Sequence, residues 1–462
     1  MMTQDIVKFL HIEDKNFIDC EESIYRKYEE QAEYEIIEKL SEYLSNPLFL
    51  LLLKNICGGY GYRFDGYRKV GIRLRSGKKW QVFSPVFIKR HPRKKKKSRS
   101  KRERVTRHFG LELLGIINHM TPGLLQVCVS MATLCPSFKV AVNALKNFGV
   151  TISQSILQSL TYRFAELGME VRTECHFEDI WQKPGNRILI CIDGGRYRER
   201  SKKKGRMKKG QKRRGYHANW VEPKQLTISL FDDKGKKISN ISPIIDGTAA
   251  VHINTFFELL KEHILQINTK EASEIVFCAD GGNGLWPRID KLIEELKLNN
   301  AERVLDYTHA KQNIHTIIGT ISQALKLSEK EKVKLSSQIK EMLWNGDIKK
   351  ISNFVLENLG YRRKAYKTCM DKLNGYFADH SKFQYKLFRE RGLPIGSGSV
   401  ESAIRRVINL RIKGPGIFWI RQNAEKMIFL RSLVLTGKLK NAYLKILDPL
   451  RMPLNINNLA IA

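Results

Sequence analysis

With 462 residues, 42% of them hydrophobic, the chain is long enough for roughly three domains and at least one large core, which argues against a small basic ribosomal or membrane-surface protein. Its 81 lysines and arginines against 47 acids leave a formal charge of +34, which favours a polyanionic partner, nucleic acid first. Scattered cysteines without a Cys-x-x-Cys pair exclude a zinc knuckle or thioredoxin-like motif, and Leu48–Leu53 is far too short to cross a bilayer, so a cytoplasmic, DNA-associated protein without a membrane partner is expected.

In chain order, Ile24 to Leu44 has helical spacing and stops at Ser45-Asn46, before Pro47. Arg63 to Phe83 alternates loosely and predicts two antiparallel strands joined around Ser76-Gly77, so residues 1–88 form an α+β module. Residues 89–110 are a basic linker containing Arg93, Lys94, Lys95, Lys96 and Lys97, broken by Pro92, Ser98 and Ser100. Like charges keep such a segment extended until a polyanion neutralises them, and it is assigned to DNA phosphates; a solvated tail has the same composition. Residues 111–180 predict a helical domain. Within it, Phe138–Phe148, a turn at Gly149 and a helix from Ser153 follow a helix-turn-helix pattern for DNA binding; an ordinary helical hairpin gives the same pattern.

Pro184 and Gly185, after Trp181, mark a boundary. Ile188, Leu189, Ile190, Cys191 and Ile192 then predict a strand buried on both faces, ending in Asp193-Gly194-Gly195. A carboxylate there belongs at the strand's end, near water or a cation. Alone this is also an ordinary Asp-Gly turn. The arrangement recurs, however: Ile275–Ala279 leads into Asp280-Gly281-Gly282, and two such strands point to one shared carboxylate site. A second basic run, predicted as a flexible hairpin or loop, includes Arg196, Arg198, Lys202, Lys203 and Arg213, assigned to DNA binding. Trp220–Phe231 and Ile238–Ile245 predict the next strands, followed by helix Asn254–Ile267, strand Glu274–Asp280, helix Leu285–Leu298 and a short strand at Val304-Leu305-Asp306.

That order predicts an α/β fold with a ribonuclease H-like catalytic core, an inserted all-helical domain and an N-terminal mixed and helical DNA-binding region. The core takes residues 186–310 and 391–445, the insertion 311–390, and a tail 446–462. The third acid comes from Gly392–Glu401, where Gly396 and Gly398 permit close approach, Ser397 or Ser399 can cap the following helix, and Glu401 enters its first turn. A capping carboxylate favoured by the helix dipole has the same position. Glu425 is the alternative acid nearby. Arg405 and Arg406 flank the helix as further DNA contacts. Three carboxylates can hold two divalent cations, and hard oxygen ligands with a phosphate substrate favour Mg²⁺ or Mn²⁺.

Several segments together resemble the DDE transposases of bacterial insertion sequences, in a group related to the Mutator-like transposases. They are Ile192-Asp193-Gly194, Trp220–Lys224, Ala279-Asp280-Gly281, Leu305–Ala310, Gly392–Glu401, Arg411–Lys413 with Gly414-Pro415-Gly416, Trp419 and Leu430-Arg431. The resemblance implies a catalytic triad of Asp193, Asp280 and Glu401. It implies that Asp306 and His309 form the family's Asp-x-x-His signature, with His309 touching the scissile phosphate or steadying a carboxylate. Trp344 falls in the insertion, where related enzymes use an aromatic residue against flipped or hairpin bases; packing a helix is its other role.

The expected activity is cleavage of double-stranded DNA at terminal inverted repeats and strand transfer into target DNA, by a homodimer or higher homo-oligomer. Alternatives are a ribonuclease H-like nuclease without strand transfer and a non-catalytic DNA-binding protein. The cysteine pairs of some relatives' N-terminal regions are absent here; Lys94–Lys97 stands in that neighbourhood instead.

Overall fold

The computed structural model describes residues 17–90, 104–178, 187–207, 210–211, 214–232, 234–281 and 284–446. The linker cations Arg93, Lys94, Lys95, Lys96 and Lys97, the boundary residues Trp181, Pro184 and Gly185, Arg213, and positions 447–462 lie outside them. The chain divides into two compact units, one comprising residues up to Phe164 with those from Tyr443, the other Ala165–Ala442.

In the first unit, helix α1 (Phe17–Ser45) is followed at once by α2 (Pro47–Gly59), where only a helix stop was expected. Asn46 explains the restart: its side chain accepts from the Leu48 and Phe49 amides at 2.8 and 3.3 Å, and Pro47 takes the first helical position. Strands β1 (Arg63–Arg73) and β2 (Lys79–Arg90) form the expected hairpin, with Val70 opposite Val82 and Ile72 opposite Trp80. Buried Glu33 on α1 fixes its turn, accepting from Ser76 Oγ at 2.7 Å and Trp80 Nε1 at 2.9 Å. Strand β3 (Arg104–Arg107) extends the sheet, and Leu44, Ile72, Val82 and Leu111 pack in one core cluster. Helices α3 (Phe109–Leu113), α4 (Pro122–Leu134), α5 (Phe138–Asn147) and α6 (Gln154–Met169), of which this unit holds the residues to Phe164, follow; the turn between the last two carries Gly149 at φ +77°.

The second unit holds α7 (Arg172–His176) and a five-stranded sheet made of β4 (Arg187–Gly194), β7 (Lys224–Phe231), β8 (Ile244–Thr248), β9 (Ile275–Ala279) and β10 (Ala301–Leu305). Between β4 and β7 stands an antiparallel ribbon, β5 (Tyr197–Lys202) with β6 (Tyr216–Val221), where the sequence suggested a flexible hairpin or loop. Pro223 separates β6 from β7: it has no N–H for a ladder, and its carbonyl accepts from Gly195 N at 3.0 Å. The sheet order is β10-β9-β4-β7-β8, which is strands five, four, one, two, three of the core. β4 pairs parallel with β9 and antiparallel with β7, an arrangement consistent with a ribonuclease H-like core. Ile188–Ile192 and Ile275–Ala279 are buried throughout, as their continuous apolar character requires.

Helix α8 (Ile253–Leu265) connects β8 to β9, and α9 (Leu285–Glu295) connects β9 to β10. The inserted helices are α10 (Tyr307–Leu325), α11 (Glu329–Trp344), α12 (Ile348–Leu359), α13 (Arg363–Tyr376) and α14 (Tyr385–Glu390). The chain returns to the sheet through α15 (Gly398–Ile404), a π-helical turn at Arg405–Asn409, and α16 (Arg421–Leu435), before α17 (Leu439–Ile446). Among the described residues no helix is long and apolar enough to cross a membrane.

Buried Asp246 on β8 is bound by the Arg172 guanidinium at 2.6 and 2.8 Å and approached by His263 Nε2 at 3.1 Å. Glu425 joins this structural hub, accepting from Arg172 Nη1 at 2.7 Å, Thr248 Oγ1 at 3.0 Å and the Ala249 amide.

Candidate metal centre

Asp193 and Asp280 stand at the ends of adjacent parallel strands. The β4–β9 pairing runs to Ile192 opposite Ala279, and each acid follows immediately. Asp193 Oδ1 accepts from the Gly194 amide at 2.6 Å. Asp280 Oδ1 accepts from the Gly281 amide at 2.6 Å and from the Tyr376 hydroxyl at 2.7 Å. Burial raises the Asp193 pKa, with the Asp280 charge adding to it, against the Gly194 amide, His309 and Lys224.

The glycines after these acids sit in close packing, tightest at Gly195 and Gly281, since at Gly194 the neighbour is the movable Glu222 side chain. A Cβ on Gly194 would stand 2.2 Å from Glu222 Oε1, one on Gly195 2.5 Å from Ile408 Cδ1, and one on Gly281 2.4 Å from the Tyr376 ring. Their missing side chains therefore admit a carboxylate, the π-helical turn and an aromatic ring.

Asp306 ends β10 and caps α10, accepting from the His309 amide at 2.8 Å and also from the Ser397 amide. Burial opposes its charge, but His309 and Ser397 hold its carboxyl down at about 2. His309 Nδ1 lies 3.3 Å from Asp306 Oδ1, within ion-pair range though not aligned as a hydrogen bond. That carboxylate is the main cause of the imidazole's rise to about 9; burial opposes it, and Asp280 and Asp193 contribute.

Glu401 occupies the first turn of α15, exposed, while Val400, Ala403 and Ile404 face inward. Neither nearby serine hydroxyl caps this helix. Ser399 Oγ instead bonds Thr227 Oγ1 at 2.9 Å, tying α15 to β7, and Ser397 acts through its backbone amide on Asp306. Among the described residues, Asp306, His309 and Glu401 bring ligand atoms within 4.8 Å of one another. Asp193 and Asp280 lie outside that group and couple to it electrostatically through His309. Two carboxylates and an imidazole fit one divalent cation, provided His309 gives up its proton.

The predicted DNA contacts are placed differently from one another. Arg196, Lys202, Lys203 and Arg405 are exposed, and Arg406 is half-buried. Arg198 is committed within the protein: its guanidinium lies 5.5 Å from the Trp220 ring and 4.7 Å from Phe418, and it donates to Gly414 O at 2.8 Å. Trp344 is half-buried and meets Tyr307 edge-on at 5.5 Å. Glu425, the alternative acid, is held in the Arg172 hub.

Three residues near the acids had no site role assigned from sequence: Tyr376, Lys224 and Glu222. Tyr376 reaches Asp280 across 96 positions, which no local pattern signals. The Glu222–Lys224 ion pair, 2.5 Å, was visible only as part of the Trp220–Lys224 segment. A cavity of about 530 Å³ in the first unit, lined by Arg107, His108, His119 and Arg163 among others, contains none of the predicted site residues.

No protein-family model and no curated protein matches the chain. Among solved structures, a chain of the Drosophila P element transposase strand transfer complex aligns at 12% identity over 70% of this chain and 80% of that one, with a TM-score of 0.26. A score that low carries no inference about this chain.

Proposed function

We propose that this chain is a DDE transposase of the bacterial insertion-sequence type, related to the Mutator-like group, which cleaves DNA at the ends of a mobile element and joins them to target DNA. The supporting observation is the Asp306–His309–Glu401 convergence, electrostatically coupled to strand-end acids Asp193 and Asp280 in a sheet of order five-four-one-two-three. Asp193, Asp280 and Glu401 are the assigned ligands for two Mg²⁺ or Mn²⁺ ions. Such ions would activate the attacking oxygen and neutralise charge on the leaving one.

The chain's own groups supply the rest. Asp306 orients His309 and favours its cationic form, ready to donate to a phosphate oxygen. Arg196, Lys202, Lys203, Arg405 and Arg406 draw in the strand's phosphates. In cleavage, water adds to phosphorus as the bond to the 3′ oxygen breaks, leaving a 3′-hydroxyl and a 5′-phosphate. In joining, that hydroxyl attacks a target phosphorus and a target 3′ oxygen leaves, so one phosphodiester replaces another. Two ends cut together require at least a homodimer.

The tight Asp306–His309–Glu401 group favours a second reading, a nuclease that uses one ion there and never joins strands. Both are tested with purified protein, Mg²⁺ and labelled DNA carrying the repeats that flank the coding sequence, scored for binding, nicking and joining. The transposase expectation is nicking and joining by the native chain, with both lost by orders of magnitude in Asp193→Asn, Asp280→Asn and Glu401→Gln while binding persists. Nicking without joining selects the nuclease. Near-native cleavage by Asp193→Asn together with Asp280→Asn removes the triad assignment.

A further inference from the structure

We infer that the β5–β6 ribbon is a stacking platform for the unpaired bases of a nucleic-acid strand. Its register puts Arg198 opposite Trp220, Arg200 opposite Ala218, and Lys202 opposite Tyr216. Alternate residues of a strand share a face, so cations and aromatic rings interleave on one side of the ribbon. Trp220 is 59% exposed and Tyr216 44%. The Arg198 guanidinium lies 5.5 Å from the Trp220 ring and 4.7 Å from the Phe418 ring, and Tyr216 meets Phe418 at 5.4 Å between centroids with the planes tilted by 59°. Trp220, Arg198, Phe418 and Tyr216 thus form a continuous series of planar groups.

The series is held in place. The Trp419 amide donates to Arg198 O at 3.0 Å, and Arg200 N donates to Trp419 O at 2.9 Å, an isolated parallel bridge alongside β5. Glu199 pairs with Arg421 at 2.5 Å. Aromatic faces that are both exposed and fixed await a planar partner at little entropic cost.

Charge selects the partner. Arg200, Lys202, Lys203, Lys204, Arg206 and Arg214 are exposed along the ribbon, and its acid Glu199 is already paired. A polyanion is complementary to this surface. In a duplex the base faces are covered by neighbouring pairs, whereas an unpaired strand offers them to aromatic side chains and its phosphates to lysine and arginine. Only Gly194, Gly195 and Arg196 separate Asp193 from β5, so a strand stacked on Trp220 at the ribbon's root has a short path to the acids. The inference draws on the DNA-processing reading only for the purpose of that strand; stacking needs neither metal nor catalysis.

The test uses the full chain in EDTA, with fluorescence anisotropy on a labelled single-stranded oligonucleotide and on the matching duplex. Trp220→Ala combined with Tyr216→Ala should weaken single-strand binding at least about tenfold and change duplex binding less than about twofold. The ring-keeping pair Trp220→Phe with Tyr216→Phe should retain most of the affinity. Lys202→Gln with Lys203→Gln should weaken both substrates and flatten both salt dependences. Unchanged single-strand binding in the double alanine variant, equal losses on both substrates, or a phenylalanine pair as weak as the alanine pair would each overturn the inference. Native nicking and joining are measured separately: a protein that stacks single strands but never cleaves DNA sinks the enzymatic reading and leaves the platform standing.

Discussion

The Tyr376 hydroxyl donates to Asp280 Oδ1 at 2.7 Å, which links helix α13 of the insertion to a strand-end acid. The ring lies where a Cβ on Gly281 would be, so the contact depends on that glycine. The inserted bundle therefore contributes directly to the carboxylate site.

Tyr376→Phe keeps the ring and removes the donor. A hydrogen bond to a charged group contributes about 1.5–3 kcal/mol, so a roughly tenfold or greater fall in cleavage is expected, with a changed Mg²⁺ half-saturation. Metal titration of nicking rate, beside a denaturant melt, checks this. Native rates at every Mg²⁺ concentration would leave Tyr376 as packing alone.

Gly195→Ala should destabilise the second unit. Its Cβ would stand 2.5 Å from Ile408 Cδ1, forcing the segment after α15 outward. Overpacking of this kind costs about 1–3 kcal/mol. Adding Ile408→Val removes the opposing methyl and should recover part of the loss, which a double-mutant cycle in urea measures directly.

Acid should loosen the Asp246 hub before the carboxylates titrate. Burial, with contributions from His263, Lys438 and Arg172, lowers the buried His176 pKa to about 3, against Asp246, from an ordinary value of 6.5. Between those values the unfolded chain binds a proton that the folded chain refuses, so stability falls as pH drops from 6.5 towards 3, by a few kcal/mol at most. Burial would raise the Asp246 carboxyl, but Arg172 and His263 hold it well below the usual range, so its contribution is lost only at still lower pH. Urea melts across this window, compared with His176→Phe, should show a shallower pH slope in the variant. Equal slopes would exclude His176 as the source.

Two glutamates should separate stability from chemistry. Glu425 accepts from Arg172, Thr248 and the Ala249 amide, so Glu425→Gln should destabilise by about 1–3 kcal/mol. Exposed Glu401 makes no comparable set of contacts, and Glu401→Gln should melt within about 0.5 kcal/mol of the native chain while losing cleavage. The reverse pattern would exchange their roles.

Neutralising Lys94, Lys95, Lys96 and Lys97 together should weaken binding to all duplexes alike. If all four touch phosphates, the slope of log affinity against log salt should flatten by roughly three to four. An unchanged slope would show that these lysines contact no DNA.

The apolar runs before Asp193 and Asp280 were enough to mark two buried strands, because five consecutive apolar residues ending in an acid and a glycine pair have few other stable placements. The insertion was legible as all-helical for the same local reason, although its first helix, α10, already starts at Tyr307, before the expected residue 311. Beyond Asn46, the sequence left α2 unread, since the Leu48–Leu53 run lacks helical alternation and its start depends on one capping side chain. The ribbon was only partly legible: its lysines and glycines suggest a flexible hairpin or loop alike, and its strands are fixed by pairing with each other, with one bridge to Trp419.

By itself, the sequence determined the first hairpin, the buried strands that lead into Asp193 and Asp280, and most helices, properties set by side chains a few positions apart. Only the tertiary structure decided that Glu401 converges on Asp306 and His309, that Tyr376 donates to Asp280, and that the Arg198 guanidinium meets the Trp220 and Phe418 rings. Those partners are far apart along the chain, and backbone periodicity carries no information about which distant surfaces meet. Packing settles it: α15 approaches β4 because Gly195 leaves room, and α13 reaches Asp280 because Gly281 does.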